Sequence, residues 1–86
     1  MNSKPTEGQL AATIRDFGWH MGANLCFAIM GRRTDSPMER SLSKVRMLNF
    51  RTAALDAKRH GTYGLFQEGA KAATKGFLHS QAKDSQ

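Results

Sequence analysis

The sequence predicts an all-α protein of three helices, arranged like a hairpin and assembled as a homo-oligomer. Apolar residues recur at helical spacing in three segments, two of these segments begin with N-terminal caps, and glycines follow the first two segments. The chain has 86 residues, of which 40% are hydrophobic. It suits a single small domain over residues 1–86, with a core at about 8–79 and disordered ends at 1–6 and 80–86.

The first helix is expected over about residues 8–30. Thr6 and Gln9 form a capping box, and a stripe of apolar residues follows at spacings of three and four. The stripe comprises Leu10, Ile14, Phe17, Met21, Leu25 and Ala28. Gly31 is expected to end the helix in a left-handed conformation.

The end of this helix, from Leu25 to Met30, is apolar on every side. Such a helix must be covered on every side, and a chain this short has little with which to cover it. We therefore expect subunits to meet here. The expected interface residues are Leu25, Phe27, Ile29 and Met30, with Met47 and Phe50 on the second helix.

The second helix has the clearest start and should run from Pro37 to His60. Ser36 is its cap, Pro37 takes the first helical position, and Glu39 takes the third. Gly61 is expected to end it. The core stripe is expected at Met38, Leu42, Val45, Leu48 or Asn49, Thr52 and Leu55.

A row of basic residues lies beside that stripe. Arg40, Lys44, Arg51 and Lys58 fall within about 40° of one another on an α-helix. The net charge is +6, and the segment from Arg32 to His60 carries +5 of it, from eight Lys or Arg and three acidic residues. The row is either a phosphate-binding surface or a solvated helix face.

The third helix is expected over about residues 62–79. Phe66, Ala70, Ala73 and Phe77 lie on one face of it at spacings of four, three and four. Gly69 and Gly76 have two interpretations. They either allow a close helix contact or only weaken the helix, by about 1 kcal/mol each.

The loop between the first two helices brings Arg32 and Arg33 to the start of the second. Free backbone N–H groups at a helix start hold a phosphate well, and two guanidinium groups would add to this. Asp35 in the same loop supports the alternative, in which a carboxylate occupies those donors and the loop is an ordinary cap.

Residues suited to catalysis or metal binding are few. His20, Cys26, His60 and His79 lack metal-ligand spacing. Asp16 and His20 are one helical turn apart, which we interpret as a surface hydrogen bond. The sequence has no glycine-rich phosphate loop and no paired carboxylates. We therefore expect a protein that is not an enzyme and that uses no metal and no cofactor.

The single cysteine, Cys26, excludes an intrachain disulfide and fits a reducing cytosol. The longest apolar run, Leu25–Met30, is far shorter than the roughly 20 residues needed to cross a bilayer. The polar residues 1–9 lack the apolar core of a secretory signal. These features predict a cytoplasmic protein with no membrane partner.

Two stretches of the chain carry a pattern of their own. The first reads Ser-Pro-Met-Glu-Arg-Ser-Leu at 36–42 and Arg-Thr-Ala-Ala-Leu at 51–55; the second reads Leu-Phe-Gln-Glu-Gly-Ala-Lys-Ala-Ala-Thr-Lys at 65–75. Together they resemble the phage anti-CBASS and anti-Thoeris sponges, helical hairpins that sequester cyclic-nucleotide messengers. The resemblance implies a homo-oligomer whose ligand pockets lie between subunits. The positions implied for ligand binding are Arg40, Arg51, Thr52, Thr74 and Lys75.

Two functions remain open on the sequence. The first is a phage-type anti-defence protein that sequesters a cyclic nucleotide or a similar anion in the host cytoplasm, without chemistry. The alternative is a small basic regulator of a mobile element that binds DNA, RNA or another protein. The candidate ligand-binding residues are Arg32, Arg33, Arg40, Lys44, Arg51, Thr52, Lys58, Thr74 and Lys75.

Overall fold

A computed structural model describes residues 6–84, and the surroundings of side chains for residues 6–80. It contains α1 (Glu7–Gly31), α2 (Pro37–Arg59) and α3 (Tyr63–Asp84), and no strand among the described residues. The prediction of an all-α chain with three helices is confirmed. The third helix continues to Asp84, five residues beyond the end at 79 that the sequence predicted for it. Of the ends expected to be disordered, 1–6 and 80–86, residues 1–5 and 85–86 lie outside the described residues, whereas Thr6 caps α1 and residues 80–84 belong to α3.

The predicted caps of α1 and α2 are both present. Thr6 Oγ1 accepts a hydrogen bond from the Gln9 backbone N–H at 3.1 Å, and Gln9 Oε1 accepts one from the Thr6 N–H at 2.8 Å. Ser36 Oγ accepts from the Glu39 N–H at 3.3 Å. Gly61, with φ of 70°, follows the end of α2 as predicted. The two caps fix where α1 and α2 begin because each accepts from a backbone donor that the helix leaves free, and Gly61 ends α2 because glycine adopts a positive φ without strain.

Ser36→Ala should lower the free energy of unfolding by about 1 kcal/mol, because the Glu39 N–H loses its acceptor. For a domain of this size, the melting temperature should fall by several degrees, about 4–8 °C, in a circular dichroism melt. Ser80→Ala is the matched control, since Ser80 is an exposed residue inside α3. An equal effect at both positions would contradict the assignment of Ser36 as the cap.

Gly31 does not form the expected left-handed cap. It is the last residue of α1 and is buried against α2, where an added Cβ would lie 3.1 Å from the Glu39 oxygen and 3.3 Å from Ser43 Cβ. Among the described glycines, Gly61 alone has a positive φ. The helix passes on to Arg32, whose backbone N–H donates to the Ala28 oxygen at 3.1 Å. Gly31 therefore serves packing and allows the start of α2 to approach α1.

The three helices run up, down and up, with α1 packed against both of the others. The end of α1 at Ala28 meets Ser43 near the start of α2, so this pair is antiparallel. Gly18 and Gly22 of α1 lie against Phe66 and Ala70 of α3 in the same order, so that pair is parallel. Few contacts join α2 to α3. The radius of gyration is 15.1 Å, against about 12 Å expected for a compact chain of this length.

Small residues make the close contacts between α1 and α3. A Cβ on Gly18 would overlap the Phe66 carbonyl oxygen, and a Cβ on Gly69 would overlap the Arg15 carbonyl oxygen. The first of the two interpretations therefore applies to Gly69. No atom lies within 4 Å of a Cβ built on Gly76, so the second interpretation applies there.

The prediction of which face of α2 is buried is wrong. Met38, Leu48 and Leu55 are 73%, 62% and 55% exposed, and Leu42 and Val45 are exposed as well. Ser43, Ala53 and Ala57 are buried instead, and Ser43 donates its hydroxyl hydrogen to the Ala28 oxygen. Small side chains allow close approach of the two helices, and a buried hydroxyl needs this partner. The large apolar residues consequently lie on the outside.

Candidate functional site

The basic ridge, defined as Arg40, Lys44, Arg51 and Lys58, follows one side of α2. All four residues are exposed, and α2 is continuous beneath them. From Arg40 to Lys58 the ridge extends about 27 Å, at 1.5 Å per residue. Viewed down the axis of α2, the centre of the ridge lies about 100° from the centre of the buried face. The structure thus places four of the predicted ligand residues in one row that an anion can reach.

Among the residues whose side chains the structure describes, no acidic side chain forms an ion pair with the ridge. Among residues 6–80, the ion pairs join Arg15 to Glu68 at 2.6 Å, His20 to Asp16 at 3.6 Å, and Arg59 to Asp56 at 3.8 Å. None of these pairs includes a ridge residue. The field of the ridge is therefore available to an external polyanion.

Arg32 adds a fifth cation beside the ridge. Its Nη1 lies 3.9 Å from Sδ of Met47, and Met47 is one turn of α2 from both Lys44 and Arg51. Arg33 is exposed in the turn, where its backbone N–H donates to the Met30 oxygen at 3.1 Å. The structure therefore brings Arg32 to the flank of the ridge, and leaves Arg33 in the turn at its end.

The side chain of Ser36 caps the N-terminus of α2. Ser36 Oγ accepts from the Glu39 N–H, and the Ser36 carbonyl accepts from the Arg40 N–H at 3.1 Å. Ser36 rather than Asp35 provides the cap, which fits the interpretation of this loop as an ordinary helix start. A phosphate at the loop stays a prediction.

A groove of about 450 Å³ separates α2 from α3. Its lining comprises Phe50, Tyr63, Gln67, Ala70, Lys71, Thr74, Lys75 and Leu78. Phe50 and Tyr63 are half-buried, whereas Lys71 and Lys75 are exposed. A groove with aromatic residues inside and cations outside suits a nucleobase with its phosphate, since bases stack on aromatic rings.

A second cleft, of about 500 Å³, lies along α2. Arg51, Thr52 and Lys58 line it, and Phe50 lines both this cleft and the groove. The positions implied by the resemblance therefore fall into two neighbouring sets, with Arg51 and Thr52 on one side of Phe50 and Thr74 and Lys75 on the other. Arg40 lies outside both, at the far end of the ridge.

Thr74 is poorly suited to the role that the resemblance implies. Its Oγ1 donates to the Ala70 carbonyl oxygen of its own helix at 2.9 Å. The hydroxyl then offers only acceptor lone pairs, which do not stabilise a phosphate. Lys75 is the remaining candidate of this pair for direct contact with an anion.

Sequence reasoning missed two residues of the groove, Lys71 and Tyr63. Lys71 stands one helical turn before Lys75, and this spacing could have identified it. Tyr63 carried no such signal because its place depends on how α3 meets α2. The Lys58 Nζ lies 4.8 Å from the centre of the Tyr63 ring, a cation–π contact that links the ridge to the groove.

The residues expected at a subunit interface fall into two groups. Phe27, Ile29 and Met30 are 54%, 44% and 45% exposed at the end of α1. Phe50 instead packs within the protomer, with its ring centre 5.7 Å from that of Phe66. Leu25 and Met47 are likewise half-buried. A subunit contact at these positions stays a prediction.

No group of three or more His, Cys, Asp or Glu among the described residues could hold a metal ion. The pair of Asp16 and His20 is exposed on α1, with its atoms 3.6 Å apart. Cys26 is buried and unpaired by any disulfide. Over residues 6–84, no helix is both long enough and apolar enough to cross a membrane.

Comparison of the chain with protein-family models, with curated proteins and with solved structures gives no match. The ridge, the groove and the side chains that form them are therefore the features that point to a function.

Proposed function

We propose that the protein is a non-catalytic binding protein whose basic ridge holds the phosphate backbone of a nucleic acid. The single observation that carries this proposal is the ridge itself: four exposed cations in one row on α2, with no acidic partner among residues 6–80. Row, exposure and free charge are the features by which proteins bind phosphate backbones without reading sequence.

The length of the ridge favours a polymer over a single nucleotide. A row of about 27 Å spans several phosphates of a nucleic acid strand, which carries one charge per about 3.4 Å of axis. A mononucleotide or a cyclic dinucleotide reaches only one or two of these cations at once. The remaining cations would then contribute only a screened, long-range attraction.

The groove supports a second candidate, capture of a compact nucleotide such as a cyclic nucleotide. Phe50 and Tyr63, which also pack on Phe66, line the groove with aromatic surface, and Lys71 and Lys75 are exposed beside them for the phosphates. This candidate corresponds to the phage anti-defence sponge that the resemblance implies. The nucleotide would occupy the groove, and the ridge would remain solvated.

A thermal-shift plate separates the two candidates. A duplex of about 20 base pairs, a single strand of the same length and a cyclic dinucleotide are each titrated against the whole protein. A ligand that binds the folded state raises its melting temperature by mass action. We expect both oligonucleotides to raise it at low salt and the cyclic dinucleotide to leave it unchanged. A shift with the cyclic dinucleotide alone would overturn the nucleic-acid proposal in favour of the second candidate.

A further inference from the structure

The outer face of α2 carries a row of exposed residues that the protomer leaves without a partner. We call this row the seam. It comprises Met38, Ser41, Val45, Leu48, Thr52 and Leu55, all exposed. Five large apolar residues exposed on one helix face, Leu42 beside the seam being the fifth, are more than a small monomer normally leaves in water.

The spacing within the seam is that of a coiled coil. Its members alternate by three and four residues over more than two heptads, with Met38, Val45 and Thr52 at one position and Ser41, Leu48 and Leu55 at the other. At the first position Val45 and Thr52 are β-branched, and at the second position Leu48 and Leu55 are leucines. This combination favours two-stranded, parallel pairing.

The direction of the seam leaves it open to a second helix. Ser43, Phe50 and Ala57, which face α1 and α3, lie about 160° round α2 from the centre of the seam. The rest of the protomer therefore packs on the opposite side of α2. A helix from another molecule can lie along the whole seam without meeting α1.

Charge selects the orientation of the two helices. Lys44, Arg51 and Lys58 flank the seam on one side, and Asn49 and Asp56 flank it on the other. In a parallel pair, the first flank faces the second flank of the partner, so that Arg51 approaches Asp56 of the partner subunit. In an antiparallel pair, the basic flanks would face each other and repel.

From these observations we infer that α2 pairs with α2 of a second copy of this chain as a parallel, two-stranded coiled coil. The partner is thus a copy of the same chain, because spacing, layer composition and flanking charge are all complementary to the same helix. The inference does not depend on the proposed function. Arg40 lies outside the seam and its flanks, so the dimer keeps that end of each ridge accessible.

Sedimentation equilibrium with matched variants tests the pairing. The wild-type protein should sediment at about 19 kDa, twice the 9.5 kDa of the chain. Leu48→Glu should weaken the dimer at least a hundredfold and give the monomer mass at micromolar concentration, because two carboxylates would meet in one apolar layer. Leu78→Glu is the control, since Leu78 on α3 is 61% exposed against 62% for Leu48. It should remain dimeric.

Each other outcome overturns the inference. A wild-type monomer at 100 μM would do so directly. A Leu48→Glu protein that stays dimeric while Phe27→Asp becomes monomeric would place the interface at the end of α1 instead. Because Leu48 is exposed in the protomer, Leu48→Glu should keep its helical circular dichroism, and unfolding of this variant while Leu78→Glu folds would show that Leu48 belongs to the core of the protomer.

Disulfide trapping tests the orientation. In a parallel pair, Leu55→Cys lies beside Leu55→Cys of the other copy, and mild oxidation should link the dimer covalently. In an antiparallel pair, first-position residues meet second-position residues, so Leu55→Cys would instead meet Met38→Cys when the two variants are mixed. Cys26 is 5% exposed, so it does not compete for the oxidant. Linkage only in the mixed sample would contradict parallel pairing.

Discussion

Replacing Gly69 by alanine is expected to lower the free energy of unfolding by about 3 kcal/mol or more, a large fraction of the total stability of a protein this small. The new Cβ would overlap the Arg15 carbonyl oxygen and lie 2.7 Å from the Trp19 nitrogen. Both obstacles are backbone atoms of α1, so no side chain can rotate away to relieve them. The helices would have to separate, which would expose Phe66, now 1% exposed.

Gly76→Ala is the matched control on the same helix. A Cβ at Gly76 has no atom within 4 Å, so alanine should raise the stability of α3 by about 1 kcal/mol. Chemical denaturation followed by circular dichroism measures both variants. Opposite signs are expected. If both substitutions stabilise the protein, α1 and α3 do not pack as closely as the structure has them.

Replacing Arg40 by glutamate is expected to weaken nucleic-acid binding well over tenfold. A charge-assisted phosphate contact contributes about 1.5–3 kcal/mol, and a reversed charge adds repulsion. Arg40 is chosen because it lies at the end of the ridge, outside the seam, so its change leaves the dimer contact intact. Folding should be preserved, since a glutamate near the start of α2 interacts favourably with the helix dipole.

Lys83→Glu is the control for net charge. Lys83 lies in α3 and outside the ridge, so its reversal changes the total charge of the protein by the same amount. Fluorescence anisotropy with a labelled oligonucleotide measures both variants at one salt concentration. Equal weakening by the two substitutions would mean that the total charge, and not the ridge, attracts the nucleic acid.

The helices and their caps could be predicted from the sequence because local signals determine them. Thr6, Ser36 and Gly61 act within a few residues of their own position, and each appears where it was expected. The ridge could be predicted for a similar reason. Once α2 is continuous, the spacing of Arg40 and Lys58 alone fixes that they share a side.

The orientation of α2 could not be predicted in this way. Helical periodicity shows that Val45 and Leu48 share a face, but not whether α1 or another molecule covers that face. The buried face of α2 is set by small residues, since Ser43 and Gly31 allow α1 and α2 to approach closely. Because these residues bury less area than leucine, a search for large apolar residues overlooks them. The prediction of a left-handed cap at Gly31 was wrong for a related reason, because a glycine at the end of a helix looks the same in sequence whether it caps the helix or packs against a neighbour.

The salt dependence of binding tests the nucleic-acid proposal most directly. With Arg51 facing Asp56 of the partner subunit, the three phosphate contacts of Arg40, Lys44 and Lys58 on each protomer predict that log K falls against log salt with a slope of about −2.7 or steeper on a duplex. Arg40→Glu should make this slope shallower by about one. A wild-type slope shallower than about −2, unchanged in Arg40→Glu, would show that the ridge does not follow a phosphate backbone, and would contradict the account.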